Sequence, residues 1–81
     1  MRIEHTNVSA RALVDAPVSV QRAFLKQVKL LLEDFRHPSL RAKKYGGADD
    51  VWQARVNRDW RFYFRVVNDA YVVVNIVPHP K

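Results

Sequence analysis

The chain has 81 residues, no cysteine and a formal net charge of +6. A chain of this length is expected to fold as one domain over residues 1–81, with a small core. The lack of cysteine excludes disulfides and thiolate metal sites. A membrane-spanning helix is excluded because no apolar run of about 18 residues occurs, and the N-terminus lacks the apolar block of a secretory signal. We therefore expect a cytoplasmic protein.

Most of the positive charge is concentrated in one part of the chain. Between residues 36 and 65 there are eight basic and three acidic residues, so this stretch carries +5 of the net +6. Concentrated positive charge predicts a polyanionic partner, either nucleic acid or an acidic protein segment. A generally basic, solvated surface is the alternative interpretation.

The first half of the chain predicts a short strand followed by two helices. Residues 2–5 are compatible with a strand, and Thr6 or Asn7 can cap a helix over about residues 8–14. After an interruption at a proline, apolar residues recur at spacings of three and four over residues 18–34, which predicts an amphipathic helix. Its apolar stripe consists of Val20, Phe24, Val28, Leu31 and Phe35, widened by Leu25 and Leu32.

The second half of the chain predicts strands. A basic loop with a short strand at residues 42–45 leads into two strands joined by a turn at residues 57–59. The β-branched run over residues 71–77 predicts a last strand, which the following prolines end. The two helices are expected to form a hairpin that lies on this sheet.

The central hairpin has one apolar and one cationic face, because side chains alternate along a strand. The apolar row consists of Trp52, Ala54, Val56, Trp60, Phe62, Phe64 and Val66. The other row consists of Gln53, Arg55, Arg61, Tyr63 and Arg65. A three-residue turn puts both apolar rows on one face and sets Arg55 opposite Arg61, whereas a two-residue turn would bury cations. Because like charges directly opposed destabilise a sheet, we expect an anion to visit this pair.

The register of the last strand is predicted in the same way. An odd-length turn at about residues 68–70 assigns three alternate residues of the strand to the core. These residues are Val72, Val74 and Ile76. The same register places Asn75, and beyond it His79, on the cationic face of the hairpin.

The cationic face and the loop before it hold the candidate functional residues. They are Arg55, Arg61, Arg65, Tyr63, His79, Lys43 and Lys44. Such a set suits metal-free RNA cleavage, in which the 2′-hydroxyl attacks the adjacent phosphate and guanidinium groups stabilise the phosphorane. The two lysines are expected to contact phosphates rather than to take part in the chemistry. We expect no cofactor and no metal, because the three histidines are too scattered to form a site.

The chain resembles toxins of the RelE/ParE type, from bacterial type II toxin–antitoxin systems. The resemblance covers most of the chain after the first helix and depends on the spacing of five blocks. These are His37-Pro-Ser-Leu40, Lys43-Lys-Tyr-Gly46, Val51-Trp-Gln-Ala-Arg-Val56, Trp60-Arg-Phe-Tyr-Phe64 and Ile76-Val-Pro-His79. It implies an α+β fold with two N-terminal helices packed on a small antiparallel sheet, as in small microbial ribonucleases.

The resemblance also implies roles for individual residues. Arg61 occupies the position of the strand arginine that contacts the scissile phosphate in RNA-cleaving members. Arg55 occupies a basic position of the neighbouring strand that is used there for charge stabilisation. His79 resembles a C-terminal histidine that several ribosome-dependent members use as acid or base. Gln53 departs from the pattern, because the prototype has a lysine there. The prototype's catalytic tyrosine lies on a C-terminal helix beyond the last residue given, Lys81, which leaves His79 as the main candidate for proton transfer.

The leading functional hypothesis is therefore an endoribonuclease that cleaves mRNA on the ribosome. One alternative is a ParE-like inhibitor of DNA gyrase, which needs no catalytic residues. The other is a family member without catalytic activity that binds only its antitoxin. In each case we expect a cognate antitoxin as partner, no membrane association, and either a homodimer or a toxin–antitoxin hetero-oligomer.

Overall fold

The computed structural model describes residues 1–46 and 50–79. Within these ranges the chain forms two helices and five strands. They are β1 (Arg2–His5), α1 (Asn7–Asp15), α2 (Val18–Glu33), β2 (Lys43–Lys44), β3 (Val51–Arg55), β4 (Trp60–Val67) and β5 (Ala70–Pro78). No helix in the described ranges is long and apolar enough to cross a membrane.

The strands form one sheet in the order β1-β5-β4-β3-β2. β1 pairs with β5 in parallel, and the other neighbouring pairs are antiparallel. The prediction of an α+β fold, with helices packed on a small and mostly antiparallel sheet, is confirmed. The predicted short strands at the start of the chain and within residues 42–45 are also present.

The helical hairpin is held at its ends by side-chain caps. The Thr6 side chain accepts a hydrogen bond from the Ser9 backbone N–H at 3.1 Å, as an N-cap residue does. At the other end of α1, the Gln21 amide donates to the carbonyls of Val14 (3.2 Å) and Ala16 (3.1 Å). Because the last carbonyls of a helix have no partner within the helix, Gln21 stabilises the junction between α1 and α2.

The core lies between α2 and the sheet. Phe24 of α2 is 1% exposed and meets Phe62 of β4 edge-to-face, with ring centroids 5.2 Å apart. The predicted widening of the α2 stripe is wrong, because Leu25 and Leu32 are 61% and 43% exposed. α2 packs on the sheet along one side only. Leu25 comes next after buried Phe24, and Leu32 next after buried Leu31, so each lies about 100° around the helix from a buried side chain.

The predicted turn of the central hairpin is confirmed. Arg55 pairs with Arg61 across the strands, and the Val56 N–H donates to the Trp60 carbonyl at 3.0 Å. The Asn57 side-chain oxygen accepts hydrogen bonds from the N–H groups of Asp59 and Trp60, both at 2.9 Å. This asparagine therefore fixes the three-residue turn through local side-chain bonds to the backbone.

The predicted core positions of β5 are partly wrong. The connection from β4 is a two-residue turn in which Val67 pairs with Ala70, so Val73 rather than Val72 is buried. A bulge follows, because Phe64 pairs with Val73 while Tyr63 pairs with Asn75. The extra residue, Val74, reverses the alternation. Val72 and Val74 are consequently half-buried outside the core. The bulge restores the predicted placement beyond it, with Ile76 in the core and Asn75 on the cationic face.

Candidate active site

The cationic face of the sheet, on the side away from the helices, contains a shallow cavity of about 250 Å³. Its lining residues are Arg41, Lys43, Gln53, Arg55, Arg61 and His79. Four of these side chains carry permanent positive charge, and none of the described lining residues is acidic. The cavity is therefore a place where an anion would be attracted and would find several hydrogen-bond donors.

Strand pairing brings residues that are distant in sequence to this cavity. Arg55 lies opposite Arg61 in the central hairpin, and Lys43 of β2 lies opposite Gln53 of β3. The end of the chain arrives from the other side. There the His79 N–H donates to the Asp59 carbonyl at 2.7 Å. Pro78, which precedes His79, therefore does not turn it away from the hairpin.

The two paired arginines are anchored by the hairpin turn. Arg61 Nη1 donates to the carbonyls of Asn57 (2.8 Å), Trp60 (2.9 Å) and Arg58 (3.2 Å). Arg55 Nε donates to the same Asn57 carbonyl at 3.3 Å. A guanidinium has five N–H donors, so both groups are held in place and still keep donors for an anion. Donors fixed in advance stabilise developing charge without reorganisation.

The electrostatics of the cavity favour an anionic ligand. Burial lowers the pKa of Arg61, and the charges of Arg55 and Arg41 lower it further. An arginine remains protonated in spite of such a shift, so the lowered pKa reflects a cation that is partly desolvated and repelled by its neighbours. An anion bound between Arg55 and Arg61 would relieve this repulsion.

Tyr63 follows Arg61 along the same face and extends the site with an aromatic surface. It is half-buried between Gln53 and Asn75 of the neighbouring strands, and its ring centroid lies 4.7 Å from that of the exposed Tyr45. Burial raises the pKa of Tyr63, and Tyr45 adds to this increase. Its hydroxyl is therefore protonated near neutral pH and can donate a hydrogen bond.

Of the four predicted RNA-binding residues only Lys43 lines the cavity; Tyr63 lies beside it, and Lys44 and Arg65 lie further away. Lys44 pairs with Trp52, on the opposite face of the sheet from Lys43. Its Nζ lies 2.9 Å from Asp50 Oδ1 and 5.5 Å from the centre of the Trp52 ring. Arg65 lies on the cationic face but further along β4, where it is exposed opposite Val51. For both residues, RNA binding stays a prediction.

Arg41 is the cavity residue that sequence reasoning missed. It belongs to the basic stretch over residues 36–65, and its position two residues before Lys43 is the sequence signal that could have found it. Its backbone has a left-handed conformation with φ of 47°, which the sequence does not reveal. Hydrogen bonds from Arg41 N–H to the Pro38 carbonyl (3.3 Å) and from Arg55 N–H to the Leu40 carbonyl (2.8 Å) hold the loop in this shape.

No protein-family model matches the chain, and no curated protein matches it significantly. Solved structures are similar over almost the whole chain. A YoeB/ParE toxin from Agrobacterium tumefaciens is 14% identical, with 99% of this chain and 100% of that chain covered and a TM-score of 0.82. RelE in the archaeal RelE–RelB complex from Pyrococcus horikoshii OT3 is 21% identical, with coverages of 95% and 92% and a TM-score of 0.76. YoeB from Staphylococcus aureus, solved as a dimer, is 9% identical, with coverages of 99% and 98% and a TM-score of 0.82.

These likenesses establish the fold. The chain has the fold of RelE and YoeB toxins, which confirms at the level of fold what the five sequence blocks indicated. Within one fold, activity depends on the residues of the site.

Proposed function

We propose that the protein is the toxin of a type II toxin–antitoxin system and cleaves mRNA on the ribosome. The observation that supports this proposal most is the cavity in which Arg41, Lys43, Arg55, Arg61 and His79 converge. It combines four cations, two of them anchored by the hairpin turn, with a histidine, a residue type that serves as acid or base in catalysis. The similarity to YoeB and RelE toxins supports the same conclusion.

The cations would bind and activate the scissile phosphate. Arg61 and Arg55, anchored on the Asn57 carbonyl, offer N–H donors to the non-bridging phosphate oxygens. When the 2′-oxygen attacks phosphorus, negative charge grows on these oxygens. The arginines and Lys43 then stabilise the phosphorane more than the ground state, which lowers the barrier. Arg41 adds a further charge at the edge of the cavity.

His79 would transfer the proton. The new bond joins the 2′-oxygen to phosphorus, and the bond to the 5′-oxygen breaks, so that the products are a 2′,3′-cyclic phosphate and a free 5′-hydroxyl. One proton leaves the 2′-hydroxyl and another must reach the 5′-oxygen. His79 can act as acid or base in this exchange, and its backbone bond to the hairpin turn holds it beside the arginines.

A cognate antitoxin would neutralise the toxin by covering this face. The RelE and YafQ structures that resemble this chain include complexes with RelB and DinJ. Because the cationic face of this chain is open, its antitoxin should present acidic side chains to Arg55 and Arg61. Toxin and antitoxin would act together in the cytoplasm, where the ribosomes are.

The proposal can be tested by inducing the protein in cells and mapping mRNA ends by primer extension. We expect growth arrest and codon-phased cuts with the wild type, and at least a hundred-fold fewer cuts with Arg61→Gln or His79→Ala. Arg58→Gln removes a charge from the same turn but outside the cavity, so it should cut normally. Lys43→Gln should weaken cutting, whereas the neighbouring Lys44→Gln, which faces the other side of the sheet, should not.

The alternatives give different results. Double-strand DNA breaks without mRNA cuts, undiminished in Arg61→Gln and His79→Ala, would establish gyrase inhibition instead. Absence of toxicity in a protein that still binds its antitoxin would identify a family member without catalytic activity.

A further inference from the structure

Two tyrosines lie side by side on the cationic face of the sheet, next to residues that line its cavity. Tyr63 of β4 is half-buried between Gln53 and Asn75 of the neighbouring strands. Tyr45 follows β2, and its ring packs against that of Tyr63 while 53% of its surface stays exposed. We call these two side chains the tyrosine pair. The proposed reaction gives the tyrosine pair no role.

The tyrosine pair lies within reach of a ligand bound in the cavity. Tyr63 comes two residues after Arg61 on the same face of β4, which is a separation of about 7 Å along the strand. Gln53, which lines the cavity, lies directly opposite Tyr63, and Lys43, another lining residue, comes two residues before Tyr45. Burial and Tyr45 raise the pKa of Tyr63, whereas the nearby charge of Arg61 lowers it. A nucleoside attached to a phosphate at Arg61 spans this distance without crossing the sheet.

We infer that the tyrosine pair stacks on the base of a nucleotide that adjoins the scissile phosphate, with that phosphate held between Arg55 and Arg61. The inference depends on the proposed function, since it requires RNA in the cavity. It adds a site for one nucleobase to that function, and it makes Tyr45 a binding residue.

The order of side chains along β4 suits a single strand of RNA. Arg61, Tyr63 and Arg65 follow one another on the cationic face, so an aromatic ring lies between two cations. The nearby carboxylate of Asp50 is bonded to Lys44 rather than to Arg65. Proteins that bind single strands combine cations along the backbone with aromatic side chains on which bases stack. A strand with one phosphate at Arg61 and the next toward Arg65 would place the base between them over the tyrosine pair.

A base suits the tyrosine pair better than an acidic peptide does. The residues on either side of Tyr63 are Gln53 and Asn75, whose side-chain amides are uncharged. Amides can form hydrogen bonds with the donors and acceptors on the edge of a base, whereas a carboxylate binds more strongly to the arginines. The surface therefore alternates as a nucleotide chain does, with cations for phosphates and an uncharged aromatic position for a base.

The test uses a dinucleotide with two adenine bases that cannot be cleaved, because the nucleoside on its 5′ side has no 2′-hydroxyl. The chain has three tyrosines, and the third, Tyr71, is buried in the core at 8% exposure. In NMR spectra of the purified protein with labelled tyrosine, the dinucleotide should shift the ring signals of Tyr45 and Tyr63 and leave those of Tyr71 in place. Of two analogues that each lack one base, one should bind about ten-fold more weakly and cause no shift at the tyrosine pair. The other should behave like the full dinucleotide.

Replacing Tyr45 separates stacking from hydrogen bonding by its hydroxyl. Tyr45→Leu should weaken the full dinucleotide about ten-fold without affecting the analogue that lacks the critical base. Tyr45→Phe keeps the ring and should bind like the wild type. Leu25→Ala, which shortens an apolar side chain that is 61% exposed on α2, should leave all three affinities unchanged. A double-mutant cycle between Tyr45 and the base then isolates their coupling.

The outcomes separate this inference from the proposed function. If neither base matters but binding still requires Arg61, RNA occupies the cavity and the tyrosine pair is not a base site. If binding does not require Arg61, both conclusions are wrong. If Tyr45→Phe binds as weakly as Tyr45→Leu, the hydroxyl and not the ring contacts the ligand, and stacking is refuted. If the tyrosine pair responds to a glutamate-rich peptide and to no dinucleotide, it is a protein-binding surface and the inference is overturned.

Discussion

Replacing Arg41 with glycine should stabilise the fold and weaken RNA binding at the same time. Relief of the left-handed conformation is worth about 1–2 kcal/mol. Glycine has more conformational freedom in the unfolded chain, which reduces this stabilisation by roughly 0.4–1 kcal/mol. Loss of the repulsion that Arg41 exerts on Arg61 adds to the gain. The net expectation is a stabilisation of about 1 kcal/mol, which corresponds to an increase in Tm of about 4–8 °C for a domain of this size.

The assay is thermal and urea unfolding of the purified protein, followed by binding of an uncleavable dinucleotide. Arg41→Ala is the informative control, because it removes the cation but keeps the Cβ in the left-handed region. It should therefore gain less stability than Arg41→Gly while losing as much affinity. Asn68→Gly, at another left-handed position with φ of 54°, should change stability little, since asparagine tolerates this conformation. A destabilised Arg41→Gly, or one that binds RNA as tightly as the wild type, would refute this reasoning.

Two further predictions concern the stability of the scaffold. Gln27 is 6% exposed, and its side-chain amide donates to the carbonyls of Ser39 (3.2 Å) and Arg55 (2.8 Å). Gln27→Leu removes both hydrogen bonds and should lower the free energy of unfolding, measured by urea denaturation, by about 2 kcal/mol. Burial lowers the pKa of His5 below its ordinary 6.5, so the unfolded state binds more protons than the folded state between the two pKa values. The free energy of unfolding should therefore fall as the pH falls below about 6.5, until the lower folded-state pKa is passed. His5→Gln should reduce this pH dependence, which is measured as the free energy of unfolding at a series of pH values.

The sequence predicted best where local chemistry decides the structure. The Thr6 cap, the period of α2 and the Asn57 turn each depend on a few neighbouring residues, and each is observed. The exposed leucines of α2 were misassigned because residue type alone does not say how wide a surface the sheet offers. Arg41 was missed because a left-handed backbone at a non-glycine residue is imposed by the bonds that its loop makes with the sheet.

The last strand shows how the site depends on an irregularity that the sequence pattern conceals. The two-residue turn at Asn68 would by itself send every later residue of β5 to the face opposite the predicted one. The bulge at Val74 reverses the alternation once more, so that Asn75 meets Tyr63, Val77 meets Arg61 and the chain arrives at His79 on the cationic face. In the bulge, the Val74 carbonyl accepts a hydrogen bond from the Thr6 hydroxyl at 3.3 Å. The residue that caps α1 therefore also stabilises the bulge that brings His79 to the arginines.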